Sequence, residues 1–397
     1  MKQLNLNQVF DDFFQQTIFK NRNVLSSDYK PTTPLHRNEQ LRQLASILAP
    51  ALHGGKMSNV FIYGKTGTGK TLVVKTVASE LEKRNNKIKT MYVNCKMKRI
   101  SDTEYRLLAE LSRALGQNVP ITGLPTDHVY RLFFDGLETQ AKNIILILDE
   151  IDALVAKIGD EILYNLTRIN QDLRKSRVSV IGISNNVAFT ETLDPRVKSS
   201  LSEEEIVFPP YNATQLNDIL TQRAHLAFYD NILEDGVISK CAALAAQEHG
   251  DARKALDILR IAAELVEREG STTITTKHVD MAENKLDSDR TITVVKYLPK
   301  QSMAVLTAIV KLREKNHSDI QTGDVYSYYE KICAAAGLKT LTQRRVSDLV
   351  AELDMLAVIN ARVISKGRFG RTREIRLLLD DGVLDKIKET LKENYLL

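Results

Sequence analysis

The sequence predicts an α/β protein: a parallel-sheet domain, then an all-helical region, then a C-terminal helix–turn–helix with a β-hairpin. Three observations carry this. Short apolar runs alternate with helical periods between residues 59 and 208. From Ala213 to about Leu286 the pattern is helical only. Three further helical periods then precede two β-runs that flank a glycine-containing basic tip. A chain of 397 residues is too long for one ordinary core, and 43% hydrophobic with 26% charged residues excludes wholesale disorder.

Residues 1–57 are mostly polar with helical tendency, broken by loop signals at Asp28-Tyr29-Lys30-Pro31 and at Pro34. The strands expected next are Asn59–Tyr63, Thr90–Asn94, Ile144–Leu148, Val178–Ile183 and Glu205–Phe208, with helices such as Lys70–Arg84 and Asp160–Arg174 between them. Pro209-Pro210 closes this region. In the helical region an interruption is expected at His249-Gly250-Asp251, and a break from Ser288 to Pro299. Helices over 301–315, 322–336 and 342–356 follow, then strands Val358–Ser365 and Arg373–Leu379. The domains expected are therefore 1–207, 208–290 and 291–397.

The longest aliphatic run, Ile144 to Leu148, is far short of the ~20 residues that span a bilayer. The N-terminal residues carry acids where a signal peptide needs its apolar stretch. Three scattered cysteines, Cys95, Cys241 and Cys333, form neither a disulfide framework nor a zinc cluster. A cytoplasmic protein with no membrane partner is expected. Net charge is only +5, but its distribution is uneven. Residues 206–290 hold nine basic and fourteen acidic side chains, whereas 362–376 hold six basic and one acidic. That local concentration suits either a polyanion partner or a solvated basic face.

Gly64-Lys65-Thr66-Gly67-Thr68-Gly69-Lys70-Thr71 fits GxxxxGK[ST], follows a β-run and opens a helix. The glycines let backbone N–H groups converge on phosphates, and the helix N-terminus adds its positive dipole end. Lys70 is placed to reach the β- and γ-phosphates of ATP, or the β-phosphate of ADP, and the Thr71 hydroxyl to ligate Mg²⁺. The strand Ile144–Leu148 ends in Asp149 and Glu150. Asp149 is expected to orient the Mg²⁺ shell, and Glu150 to polarise the attacking water. Strand Val178–Ile183 ends in Ser184-Asn185-Asn186, where Asn185 is positioned to hold the lytic water or the γ-phosphate.

Beyond these motifs, DEID at 149–152, GISNN at 182–186 and the helical region after the sheet resemble AAA+ ATPases. Four further segments are similar to one branch. These are Asp28–Pro31 with Leu35-His36-Arg37, the run LDPRVKSSL at 193–201, Phe208-Pro209-Pro210-Tyr211, and GDARKAL at 250–256. They look like archaeal replication initiators, relatives of the largest subunit of the origin recognition complex and of cell division control protein six. The fold so implied is an AAA+ P-loop parallel-sheet domain, a helical lid and a C-terminal winged helix. The function implied is ATP-dependent initiation: binding double-stranded origin DNA through the winged helix and the AAA+ domain, recruiting or loading the replicative helicase, and acting with initiator paralogues. Slow ATP hydrolysis would act as a switch, and the protein would be nucleoid-associated.

The resemblance also assigns roles. Arg253 matches the second sensor arginine, which meets the γ-phosphate from the lid. Tyr211, beside the adenine, and Arg223 match lid positions near the nucleotide, and Arg37 falls in a matching nucleotide-site segment. Arg196 matches an arginine finger offered to a neighbouring subunit, although Ser200 stands where some relatives have arginine. Leu115–Asp127 looks like a helical insertion with which such initiators touch DNA. Two rivals share parts of this pattern: a translocating branch-migration motor, and a regulator that holds ATP without hydrolysing it.

In TQRRVSDLVAELDML at 342–356, Val346, Leu349, Val350, Leu353 and Leu356 share an apolar face. Gln343, Arg344 and Ser347 fall on another, with Arg345 beside them and Thr342 as N-cap. The hairpin tip carries Lys366, Arg368, Phe369 and Arg371. In a winged helix the second helix enters the major groove while the wing engages phosphates or the minor groove. A protein-docking module is the other use of such a domain.

Overall fold

The computed structural model describes residues 17–97, 103–120, 122–315, 320–365, 371–377 and 381–394. The chain divides into two compact units, residues 1–279 and 280–397.

In the first unit, strands β1 (Val60–Gly64), β2 (Ile88–Asn94), β3 (Asn143–Asp149), β4 (Arg177–Ser184) and β5 (Glu204–Phe208) form a parallel sheet of order β2-β3-β4-β1-β5. Helices α1 (Asn38–Leu48) and α2 (Lys70–Arg84) cover one face. Helices α3 (Glu104–Ala114), α4 (Thr126–Gln140), α5 (Ile151–Ile158), α6 (Glu161–Arg168) and α7 (Pro195–Leu201) cover the other. β3 shows why both faces are buried. Ile144, Leu146 and Leu148 enter one core while Ile145 and Ile147 enter the other, the period-two alternation of a strand with no solvent side. The register pairs Tyr63 with Ser184 and Asp149 with Ile183, so β1, β3 and β4 deliver their chemistry at one edge of the sheet.

Three helices of the lid follow: α8 (Ala213–Ala227), α9 (Val237–Gln247) and α10 (Ala252–Arg268). Asn212 and Gln215 form a reciprocal cap on α8, and the Asp251 carboxylate caps α10. Residues 17–25 lie against this region: Lys20 and Asn21 N–H groups both donate to the Ala227 carbonyl, and Glu267 accepts from Thr17 and Ile18.

The expected break at Ser288–Pro299 is corrected. α11 runs unbroken from Thr276 to Lys296. The polar residues that read as a loop are satisfied inside the helix, since Ser288, Thr291 and Thr293 hydroxyls each donate to the carbonyl four residues back. The stop is Pro299, which precedes α12 (Lys300–Glu314). Of Leu115–Asp127, expected to be a helical insertion, the described residues before Thr126 lie outside any helix, between α3 and α4, with Leu115 and Val119 buried in the sheet core. Thr126 and Asp127 begin α4.

The second unit holds α12, α13 (Thr322–Ala336), α14 (Gln343–Met355) and α15 (Asp381–Glu393) with a three-stranded antiparallel sheet. Its strands are β6 (Ile320–Gln321), β7 (Asn360–Ser365) and β8 (Arg371–Arg376), in the order β6-β8-β7. This is a winged helix. The sequence reading lacked α15, whose Val383, Leu384, Ile387 and Leu391 give a helical spacing and pack into the core.

Candidate functional site

β1 ends at Gly64 and the chain turns tightly into α2. Gly67 and Gly69 make that turn with φ of 71° and 86°. A Cβ on Gly67 would fall 1.7 Å from the Asp251 carboxylate of the lid, so only glycine fits where lid and turn meet. The lid also reaches the turn directly: Ala252 N–H donates to the Gly67 carbonyl at 3.3 Å.

Lys70 is buried, and its ammonium donates to the carbonyls of Gly64 and Lys65, each at 2.7 Å, and to Asn185 Oδ1 at 2.8 Å. Burial lowers its pKa to about 8; the Asp149 carboxylate opposes the shift and the Arg253 guanidinium adds to it. Thr71 Oγ1 donates to Asp149 Oδ2 at 2.8 Å. Tyr92 OH donates to the same oxygen at 2.8 Å, and Glu150 N–H donates to Oδ1 at 3.0 Å. Glu150 has φ of 55°, the left-handed region that non-glycine residues avoid, and Lys96 Nζ stands 3.6 Å from its carboxylate.

These groups face a cavity of about 720 Å³ in the first unit. Of the residues singled out from sequence, Gly67, Thr68, Gly69, Lys70, Thr71, Asp149, Glu150, Asn185, Tyr211, Arg223 and Arg253 line it. Tyr211 is buried with its hydroxyl beside Gly69, and Arg223 lies with its guanidinium 4.4 Å from the Tyr29 ring centre.

Three do not line it. Thr66 is exposed on the outside of the turn. Arg37 lies beneath the turn, donating to the carbonyls of Thr68 (2.9 Å), Pro209 (2.7 Å) and His36 (3.1 Å), with Tyr211 stacked 3.7 Å from its guanidinium. It braces the turn and the start of the lid. Arg196 stands elsewhere, exposed at the start of α7, paired with Asp194 at 3.1 Å and 5.4 Å from the Tyr164 ring centre. The sequence reading did not single out Tyr92 or Lys75, which also line the cavity, as does Lys30 of the Asp28–Pro31 segment. A strand tyrosine and a helix lysine carry no motif of their own.

Among the described residues no three or more His, Cys, Asp or Glu side chains cluster as a metal site. Thr71 and Asp149 instead give a hydroxyl and a carboxylate in mutual contact, hard oxygen donors that suit Mg²⁺ shared with phosphate oxygens.

In the second unit a cleft of about 550 Å³ is lined by Gln343, Arg344, Ser347, Thr322, Val363 and Arg373 among others. Thr342 caps α14 by accepting from Arg345 N–H. Arg344 is exposed at the helix start, whereas Arg345 turns to Asp348 at 3.8 Å and Glu352 at 3.5 Å and is outside the cleft lining. Lys366, Arg368 and Phe369, and the Arg371 side chain, lie outside the described residues.

Three family profiles match the chain: an AAA domain over residues 55–186, a Cdc6 AAA+ ATPase-type lid domain over 217–284, and a CDC6 C-terminal winged helix domain over 293–386. An ORC1-type DNA replication protein of Pyrococcus abyssi is 53% identical over 95% of this chain and 91% of its own length. The chain belongs to the family of ORC1-type DNA replication proteins. A second member, from Archaeoglobus fulgidus, is 53% identical over 98% of this chain and 94% of its own. Among solved structures, the Aeropyrum pernix ORC1 protein in complex with DNA matches with a TM-score of 0.79 and 43% identity, covering 96% of this chain and 98% of that one. Membership makes the chain an AAA+ ATPase of DNA replication initiation with a winged helix. No helix among the described residues is long and apolar enough to cross a membrane.

Proposed function

We propose that this chain binds ATP with Mg²⁺ in the cavity of the first unit and double-stranded origin DNA through its winged helix. It then recruits or loads the replicative helicase, with slow hydrolysis as the switch and initiator paralogues as partners. The observation carrying the reading is the convergence of Lys70, Thr71, Asp149 and Asn185 within hydrogen-bond reach, in a cavity that also receives Arg253 from the lid. Lys70 is held by carbonyls and an amide that phosphate oxygens would outcompete, so the ammonium is placed to neutralise charge growing on the γ-phosphate. Mg²⁺, held by Thr71 and Asp149, would supply electrostatic stabilisation of the phosphates. Glu150 is the general base, and Asn185 orients the water or the γ-phosphate. Arg253 reports the γ-phosphate to the lid. For the DNA role, support comes from the Aeropyrum pernix relative solved with DNA and from the exposed Arg344 at the start of α14.

The test compares wild type with Glu150→Gln for ATP affinity, turnover, binding to origin and scrambled duplexes with ATP or ADP, and helicase retention on origin DNA. The expected result is normal ATP affinity without turnover in Glu150→Gln, with origin binding and helicase retention that depend on nucleotide in the wild type. Wild-type turnover in Glu150→Gln removes the catalytic assignment, and equal affinity for both duplexes removes the origin-binding role.

A further inference from the structure

Asp149 is the carboxylate on which the proposed metal position depends, and three donors fix it. Oδ1 accepts from Glu150 N–H, and Oδ2 accepts from both the Thr71 hydroxyl and the Tyr92 phenol. Tyr92 comes from the neighbouring strand. Its register partner on β3 is Ile147, two residues before Asp149 and therefore on the same face of the sheet. Its phenol leans along the strand to the carboxylate at the sheet's edge. The ring is itself held, because the Lys75 ammonium, from the second turn of α2, lies 3.4 Å from the ring centre. An ordinary phenol carries its proton near neutral pH, so the hydroxyl is the donor in this contact.

We propose that Tyr92 is a positioning residue for the Mg²⁺–nucleotide site, fixing Asp149 from outside the P-loop, with Lys75 holding its ring. The inference rests on the nucleotide-site reading above. Its physical content is a division of labour. When the Thr71 oxygen turns a lone pair to a cation, its proton stays with Asp149, but its position then follows the metal. Tyr92 and the Glu150 N–H are the two donors whose positions do not depend on that metal. Without the phenol, Oδ2 has only the moving partner. Loss of such an outer hydrogen bond typically lowers metal affinity by 10–100-fold.

The experiment uses the full chain and a fluorescent ADP analogue, titrated first in EDTA and then with increasing Mg²⁺. Tyr92→Phe keeps the ring and its contact with Lys75 and removes only the hydroxyl. The result expected is a rise of about tenfold in the Mg²⁺ concentration that half-completes the metal-dependent gain in ADP affinity. Metal-free affinity should fall by no more than about twofold, since the hydroxyl is committed to Asp149 rather than to phosphate. Asp149→Asn is run alongside, and its Mg²⁺ requirement should rise further. An unchanged Mg²⁺ requirement in Tyr92→Phe, with a raised one in Asp149→Asn, overturns the role of Tyr92 and leaves the site reading intact. An unchanged requirement in both overturns the metal assignment and this inference with it. Equal losses of metal-free and Mg²⁺-dependent affinity in Tyr92→Phe mean a merely structural role and also overturn it.

Discussion

The Lys70 ammonium and the Asn185 amide are joined by a 2.8 Å hydrogen bond that spans from the P-loop to the end of β4. One residue opens α2 and the other directly follows β4, and the parallel pairing of β1 with β4 brings them together. Their substitutions should differ in kind. Lys70→Ala removes the buried cation and should abolish nucleotide binding or turnover. Asn185→Ala should leave ADP affinity within a few-fold and lower kcat by about 10²-fold, the usual loss for one preorganised donor. Equilibrium binding and single-turnover hydrolysis separate the two outcomes.

Because burial holds Lys70 near pKa 8, nucleotide binding should take up protons. In the free protein the folded pKa lies below the ordinary lysine value. The buried charge therefore costs stability below pH 8, and that cost is relieved as pH rises from about 8 to 10.5. Bound phosphate restores the charged form. Near pH 8 each ADP bound should carry with it roughly half a proton, and affinity should fall as pH rises further. Calorimetry in EDTA with two buffers of different ionisation enthalpy measures the uptake. Buffer-independent enthalpies would contradict it.

Arg37 touches the phosphate-site turn through the Thr68 carbonyl and does not line the cavity, so bracing the turn and contacting nucleotide would give opposite signatures. Arg37→Met leaves the Thr68 and Pro209 carbonyls without their donor. It should lower stability in urea by about 2–4 kcal/mol at unchanged m-value. Arg37→Lys should recover only part, as an ammonium lacks the planar fork that serves both carbonyls. A large loss of ADP affinity at unchanged stability would instead mean direct contact with the ligand.

The P-loop, the five strands and the helix starting at Lys70 were legible because each combines a local signal with a strong pattern, such as the apolar run Ile144–Leu148 ending in two acids. Arg37 and Tyr92 behave differently. Arg37 is aimed inward by the fold at carbonyls 31 and 172 residues away, and Tyr92 gains its partner only when β2 and β3 align. Neither contact has a sequence spacing. The unbroken α11 was missed because serine and threonine favour loops in sequence, yet return their hydroxyls to helix carbonyls when nothing else is offered.

Arg344 and Arg345 are neighbours in sequence and should behave differently on DNA. Both belong to the first turn of α14, whose apolar face, Val346, Leu349, Val350 and Leu353, is spent on packing. Arg344 lines the cleft beside Gln343 and Ser347 and has no ion pair among the described residues. Arg345 is drawn along its own helix by Asp348 and Glu352. Breaking exposed pairs costs less than about 1 kcal/mol, so Arg345 remains able to move, but its resting geometry favours the acids. An arginine that reads a base edge contributes about 1–3 kcal/mol to the specific site and little to random DNA. Arg344→Ala should therefore lower the ratio of specific to random affinity by that amount. Arg345→Ala should change the ratio little. Asp348 and Glu352, once unpaired, would repel phosphate, so its overall affinity should fall modestly and most at low salt. The measurement is binding to an origin fragment and a scrambled duplex across several salt concentrations. Equal loss of specificity in both variants would mean that Arg345 leaves its acids on binding. No loss in either would make the domain a protein-docking module.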